Sequence, residues 1–112
     1  MELFFSSKKF EKQLSSEKEM KKAFGHVMPN LQMRLATLSV VKCLQDVPHT
    51  KPEGRHELSQ DRKGQFAVWL TKNYRLIFKP EHDPVPVRED GGFDLNAITA
   101  IRLIEVEDYH GN

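Results

Sequence analysis

The chain has 112 residues, 38% of them hydrophobic and 29% charged, with a formal net charge of +1. That balance fits one soluble globular domain, residues 1–112, long enough to bury a core. No apolar run approaches a membrane span, and "LFF" near the start is too short for a signal-peptide core. Cys43 is alone, so no internal disulfide can form and a cytoplasmic setting is the simple expectation. No Cys/His cluster has zinc spacing and no glycine-rich phosphate loop occurs, so neither a metal nor a cofactor is expected.

In chain order, "ELFF" reads as a short first strand. "SSKKFEKQL" starts a helix at either serine, with Phe10 and Leu14 four apart on one face. Ser16 and Glu19 form a capping box for a second helix, which Gly25 terminates and which buries Met20, Ala23 and Phe24. Pro29 suits the first turn of a third helix, where Leu31, Leu35, Leu38 and Val41 recur at spacings of four, three and three. "LQDV" adds one further turn before Pro48. The lysines of this N-terminal third read as solvated helix faces.

After "PHTKPEG", a loop by its prolines and glycine, the periodicity changes to two. "GQFAVWL" and "NYRLIF" read as a hairpin joined by a tight Lys72–Asn73 turn in which Asn73 takes positive φ. "PEHDPVPVREDGGFDLN" is a long surface loop of the kind that is often functional or partly disordered. "AITAIRLIEVEDY" is the last strand, apolar on both faces for much of its length and so placed centrally in the sheet. The expected fold class is therefore α+β: helices on one face of a small, largely antiparallel sheet, with the other face left free for a site.

The near-neutral total conceals an uneven distribution. From Lys51 to Lys79 there are seven Lys/Arg against three acids, whereas from Glu81 to Asp94 there are five acids and one Arg88. The basic segment permits a phosphate-binding surface without demanding one.

Three groups of residues carry chemical potential: His56 after Arg55; Asp61, Arg62 and Lys63 in a turn before Gly64, with Arg75 in the second hairpin strand; and Tyr109 with His110 at the end of the last strand. "DRKG" is also a good turn in its own right, and "EDYHGN" would pass as a frayed tail. Arg75, among Tyr, Leu, Ile and Phe, either pairs with an acid across the sheet or faces a polar cleft. RNA is cut without a metal when its 2′-OH attacks the neighbouring phosphate. That reaction needs a base, an acid and fixed positive charge. Histidine serves as acid or base near neutral pH, tyrosine donates a hydrogen bond or stacks on a base, and arginine matches phosphate oxygens two at a time. Gathered by the fold, these residues would meet that need.

"GRHELSQDRKGQFAVWLTKNYRLIF", followed by "ITAIRLIEVEDYH", resembles the RelE/ParE superfamily of bacterial toxins, and within it the HigB ("killer protein") branch. The likeness covers most of the chain, from "FEKQL" through "LQMRLATL" to the "DYH" ending, and the hairpin and "DYH" are its specific parts. The resemblance implies an endoribonuclease that cleaves mRNA on the translating ribosome and is held inactive by an antitoxin, often a helix-turn-helix protein of the HigA type. It implies catalytic roles for His56, Tyr109 and His110, and phosphate-binding roles for Arg62, Lys63 and Arg75. One position departs: where HigB-type nucleases can carry a catalytic lysine three residues after the histidine, this chain has Ser59, and Lys63 is the nearest replacement for its charge. The alternative within the superfamily is a ParE-like toxin that inhibits a protein target such as DNA gyrase. A third reading is a binding module that only docks an acidic antitoxin.

Overall fold

Two serines set where the N-terminal helices begin. Ser7 and Ser16 hold extended backbone, and their hydroxyls accept from the N–H of Phe10 at 3.0 Å and of Glu19 at 3.1 Å. Each bond satisfies a donor that the first turn of a helix leaves without an intrahelical partner. Helix α1 spans Lys8–Gln13 and α2 spans Glu17–Phe24, ending at Gly25 with φ of 54°. Pro29 lies in the first turn of α3, Met28–Val40, and Leu31 and Leu38 of its apolar stripe are fully buried. The extra turn before Pro48 is a 3-10 turn, Leu44–Asp46.

The structure, a computed structural model, describes residues 1–109, so His110 lies outside the described residues. Five strands, β1 (Glu2–Phe5), β2 (His56–Glu57), β3 (Phe66–Trp69), β4 (Tyr74–Pro80) and β5 (Ala100–Asp108), form one sheet in the order β1-β5-β4-β3-β2. β1 runs parallel to β5, and every other pairing is antiparallel. This is the expected α+β architecture, with β5 inside the sheet as its two apolar faces implied. Among the described residues no helix is long and apolar enough to cross a membrane.

Strand alternation divides the sheet residues between two faces. The rows Phe66–Phe78–Leu103 and Val68–Leu76–Val106 face the helices and join Phe10, Leu31 and Leu38 in the core. The alternate rows, Ala67–Ile77–Glu105 between them and Trp69–Arg75–Glu107 beyond, lie on the opposite face. A bulge keeps β5 in phase: Ile77 pairs with Glu105 but Phe78 with Leu103, so Ile104 is the extra residue. Without it, Arg102 and Leu103 would exchange faces.

The hairpin differs from the expected tight turn. β3 ends at Trp69 and β4 begins at Tyr74, so four residues connect them, and Asn73 does not take positive φ; among the described non-glycine residues only Gln60 does, at 56°. Thr71 accounts for the difference. Its hydroxyl accepts from the N–H groups of Asn73 and Tyr74, both at 3.2 Å, while Leu70 N–H reaches Tyr74 O at 2.9 Å. A side chain thus supplies the closure that a left-handed asparagine would have given. The loop before β5 is tied down at Phe93, which bridges to Val87 and packs 5.3 Å from the Phe66 ring.

Candidate functional site

On the face away from the helices, the turn Gln60–Arg62 and the ends of β4 and β5 enclose a cleft of about 470 Å³. Ser59, Asp61, Arg62, Arg75, Glu107 and Tyr109 are among the residues lining it. The turn is short and sharp, with Gln60 in the left-handed region and Gly64 at φ 89° just after it, and it swings Arg62 back over the sheet. β4 and β5 supply Arg75 and Glu107 as direct cross-strand partners.

Glu107 gives one oxygen to each arginine. Its Oε1 accepts from Arg75 Nε at 2.7 Å and its Oε2 from Arg62 Nε at 2.9 Å. Arg62 also donates to Glu105 Oε2 at 2.7 Å and to Gln65 Oε1 at 2.9 Å. The Arg75 guanidinium lies 4.8 Å from the centre of the Tyr109 ring, a cation–π contact. Tyr109 is not a frayed tail, because its N–H donates to Asn73 O at 3.0 Å and extends the strand pairing.

Titration follows from this wiring. The hydrogen bond to Glu105 raises the Arg62 pKa and outweighs burial, with Glu107 adding to the same effect. Burial alone would push the Glu107 carboxyl up; the hydrogen bonds and charges of Arg75 and Arg62 together overcome it and hold that carboxyl below the ordinary glutamate range. Glu107 and Glu105 therefore hold the two arginines in ion pairs, and Asp61 and Asp108 line the same cleft.

Of the candidate site residues, the structure brings Arg62, Arg75 and Tyr109 together. Lys63 is exposed and does not line the cleft. His56 lies opposite Ala67, in the row that continues through Ile77 to Glu105. Three strand spacings, about 14 Å of sheet, separate its backbone from that of Glu105. Its Nδ1 is 2.7 Å from Gly54 O and its ring centre 6.1 Å from that of Trp69. In the neutral tautomer with Nδ1 donating to that carbonyl, Nε2 is the nitrogen left to accept a proton. Ser59, the departure from the HigB pattern, lines the cleft.

Glu105 and Glu107, which hold the two arginines, were not among the residues expected at the site. Their signal was alternation, since residues 105 and 107 share a strand face, but only the register sets Glu107 opposite Arg75. Both options left open for Arg75 hold at once: it pairs with an acid across the sheet and it lines a polar cleft.

The sequence matches no protein-family profile and none of the curated proteins. Solved structures do match. A YoeB/ParE toxin from Agrobacterium tumefaciens superposes with a TM-score of 0.55 at 9% identity, covering 98% of this chain and 100% of its own. YafQ from E. coli strain BL21(DE3) gives 0.56 at 14% identity, covering 96% of this chain and 91% of its own, and a mutant of E. coli YafQ gives the same values. The likeness establishes the architecture: this chain has the fold of the YoeB/ParE and YafQ toxins.

Proposed function

We propose that this chain is the toxin of a type II toxin–antitoxin pair, of the HigB-like branch of the RelE/ParE superfamily, and that it cleaves mRNA on the ribosome. The observation that carries the reading is the Arg62–Glu107–Arg75–Tyr109 array in a cleft on the open face of a toxin-type sheet. A phosphate presents two oxygens to the arginines much as the Glu107 carboxylate does, so substrate takes the place of a carboxylate of similar shape. Arg62 and Arg75, with Lys63 nearby, then stabilise the charge that builds on phosphorus. Tyr109 orients the substrate or stacks on a base, and His110 follows it directly in sequence. His56 and His110 share the proton transfers: one takes the 2′-OH proton as that oxygen attacks phosphorus, and the other protonates the departing 5′-oxygen, leaving a 2′,3′-cyclic phosphate. His56 does not line the cleft, so its share requires the bound strand to extend across the sheet toward β2. The partners are a cognate antitoxin, HigA-like with a helix-turn-helix domain, together with the ribosome and its mRNA.

Expression without antitoxin tests the proposal. Growth arrest with new mRNA ends mapped on translating ribosomes is the expected result, abolished by Arg75→Ala and by His110→Ala. Full toxicity with unchanged cut sites in both variants would overturn the assignment. The charge balance of the cleft favours one other reading, a ParE-like toxin that grips a protein target such as DNA gyrase through the same ion pairs. A supercoiling assay run beside a translation assay separates the two, because only a gyrase poison traps cleaved DNA.

A further inference from the structure

Arg34 is the buried charged residue among those described, with 4% of its surface exposed. It rises from the middle of α3 and reaches under the hairpin loop. There Nε donates to Trp69 O at 2.7 Å and Nη2 to Pro52 O at 3.1 Å, leaving Nη1 without a protein partner among the described residues. Among those residues no carboxylate pairs with it either. Two carbonyls take up part of its hydrogen bonding, no buried nitrogen is left without a partner, and the remaining Nη1 is the donor available to the groove that Arg34 lines.

The residue lines a groove of about 490 Å³, within the range of about 300–1,000 Å³ usual for small-molecule sites. Asn30, Lys51, Trp69, Lys72 and Tyr109 share its walls with Arg34, and no acid lines it. Here the contrast with the neighbouring cleft is direct: Asp61, Glu107 and Asp108 line that cleft and outnumber its two arginines, whereas three cations and no acid line the groove. One aromatic wall is held firmly. The Trp69 indole rests against Gly54, so closely that a Cβ at that position would stand 2.6 Å from Trp69 Cε3.

We infer that this groove is a nucleotide subsite, taking a phosphate of an RNA strand on Arg34, Lys51 and Lys72 with its base stacked on Trp69. Tyr109 lines both the groove and the cleft, so a strand whose scissile phosphate lies at Arg62 and Arg75 runs past Tyr109 into the groove. Base-on-aromatic stacking flanked by basic side chains is how single-stranded nucleic acid is held without sequence readout. The inference rests on RNA being the substrate, as proposed above, and assigns the second contact region for that strand.

Trp69 is the only tryptophan in the chain, so its fluorescence reports the groove directly. The probes are adenosine 5′-monophosphate, adenosine, inorganic phosphate and a 2′-O-methylated trinucleotide, which lacks the nucleophile and survives intact. The trinucleotide and the monophosphate should quench Trp69, while adenosine and phosphate alone bind at least about tenfold more weakly. Lys51→Ala/Lys72→Ala, both at exposed positions, should weaken the monophosphate about tenfold with an unchanged circular dichroism spectrum, and Lys51→Arg/Lys72→Arg should restore it. Arg62→Ala should leave monophosphate quenching intact. An absence of quenching at millimolar monophosphate, or equal affinity in the double-alanine variant, would overturn the subsite. If quenching behaves as expected but the wild type cuts no RNA, the groove stands and the nuclease reading falls. Arg75-dependent cleavage without any Trp69 response gives the reverse.

Discussion

The two faces of the sheet are built from alternate residues of the same strands, yet different forces hold them. On the helical side Phe66, Val68, Leu76, Phe78 and Leu103 are almost wholly buried against α3 and its neighbours, by contacts that need no particular geometry. On the open side the strands present Arg75, Glu105, Glu107 and Arg102, joined through directional hydrogen bonds to Arg62 and Glu81. Partly exposed ion pairs contribute little to stability, about 0–1 kcal/mol each. That face can therefore exchange its internal partners for a ligand without unfolding the domain, while the helical face cannot give up anything. Under the proposed function, the alternation of a β-strand separates stability from binding.

Removing one large side chain from the helical face should have the greatest effect. Phe78 is fully buried and stacks on Phe66 with ring centres 5.9 Å apart. Phe78→Ala should cost about 3–5 kcal/mol, read as a large fall in the urea midpoint. A loss below about 1 kcal/mol would mean that the core repacks and that the helical face is less rigidly specified than its burial indicates.

Arg75→Ala makes the opposite test on the other face of the same strand. Removing one preorganised donor to a developing oxyanion costs about 100- to 1,000-fold in rate, so cleavage should fall by that factor in single-turnover measurements. Stability should change by about 1 kcal/mol, since the arginine is partly exposed and ion-paired. A loss of stability that matches the loss of activity would erase the distinction between the faces.

Much of this division was legible in the sequence. The serine caps, the leucine stripe of α3 and the alternating strands are local patterns, and each forms where chain order put it. The open face was harder to read because its logic is non-local. Glu107 and Arg75 lie 32 residues apart and meet only through the β4–β5 register, which the bulge at Ile104 shifts by one residue. Arg34 was hidden for a different reason: its burial depends on the loop at Pro52, 18 residues away in sequence, closing over it. Asn73 misled because asparagine suits a left-handed turn, whereas the hydroxyl of Thr71 closes the loop.

Gly54→Ala tests how firmly the aromatic part of the open face is held. The residue has φ of 59°, and a Cβ there would overlap the Trp69 indole. Left-handed backbone in a non-glycine residue costs about 1–3 kcal/mol, and the indole must also move. The variant should lose stability in that range and shift the Trp69 emission maximum. An unchanged emission maximum would show that the ring is not pinned by this contact.

The smallest effect is expected at Glu107, where stability and binding should move in opposite directions. Its folded pKa lies below the ordinary value, so its ion pairs stabilise the protein fully above the unfolded glutamate pKa of about 4.3 and lose that contribution as pH falls through the folded value. Glu107→Gln should therefore lower stability by about 1 kcal/mol or less near neutral pH, and the gap to the wild type should close in acid, measured as urea midpoints from pH 7 to pH 3. The same substitution releases a charge-assisted bond from each of Arg62 and Arg75, so the uncleavable trinucleotide should bind more tightly. If both stability and affinity fall instead, Glu107 is holding the two guanidinium groups in position rather than competing with phosphate for them, and its carboxylate belongs to the bound state as well as the free one.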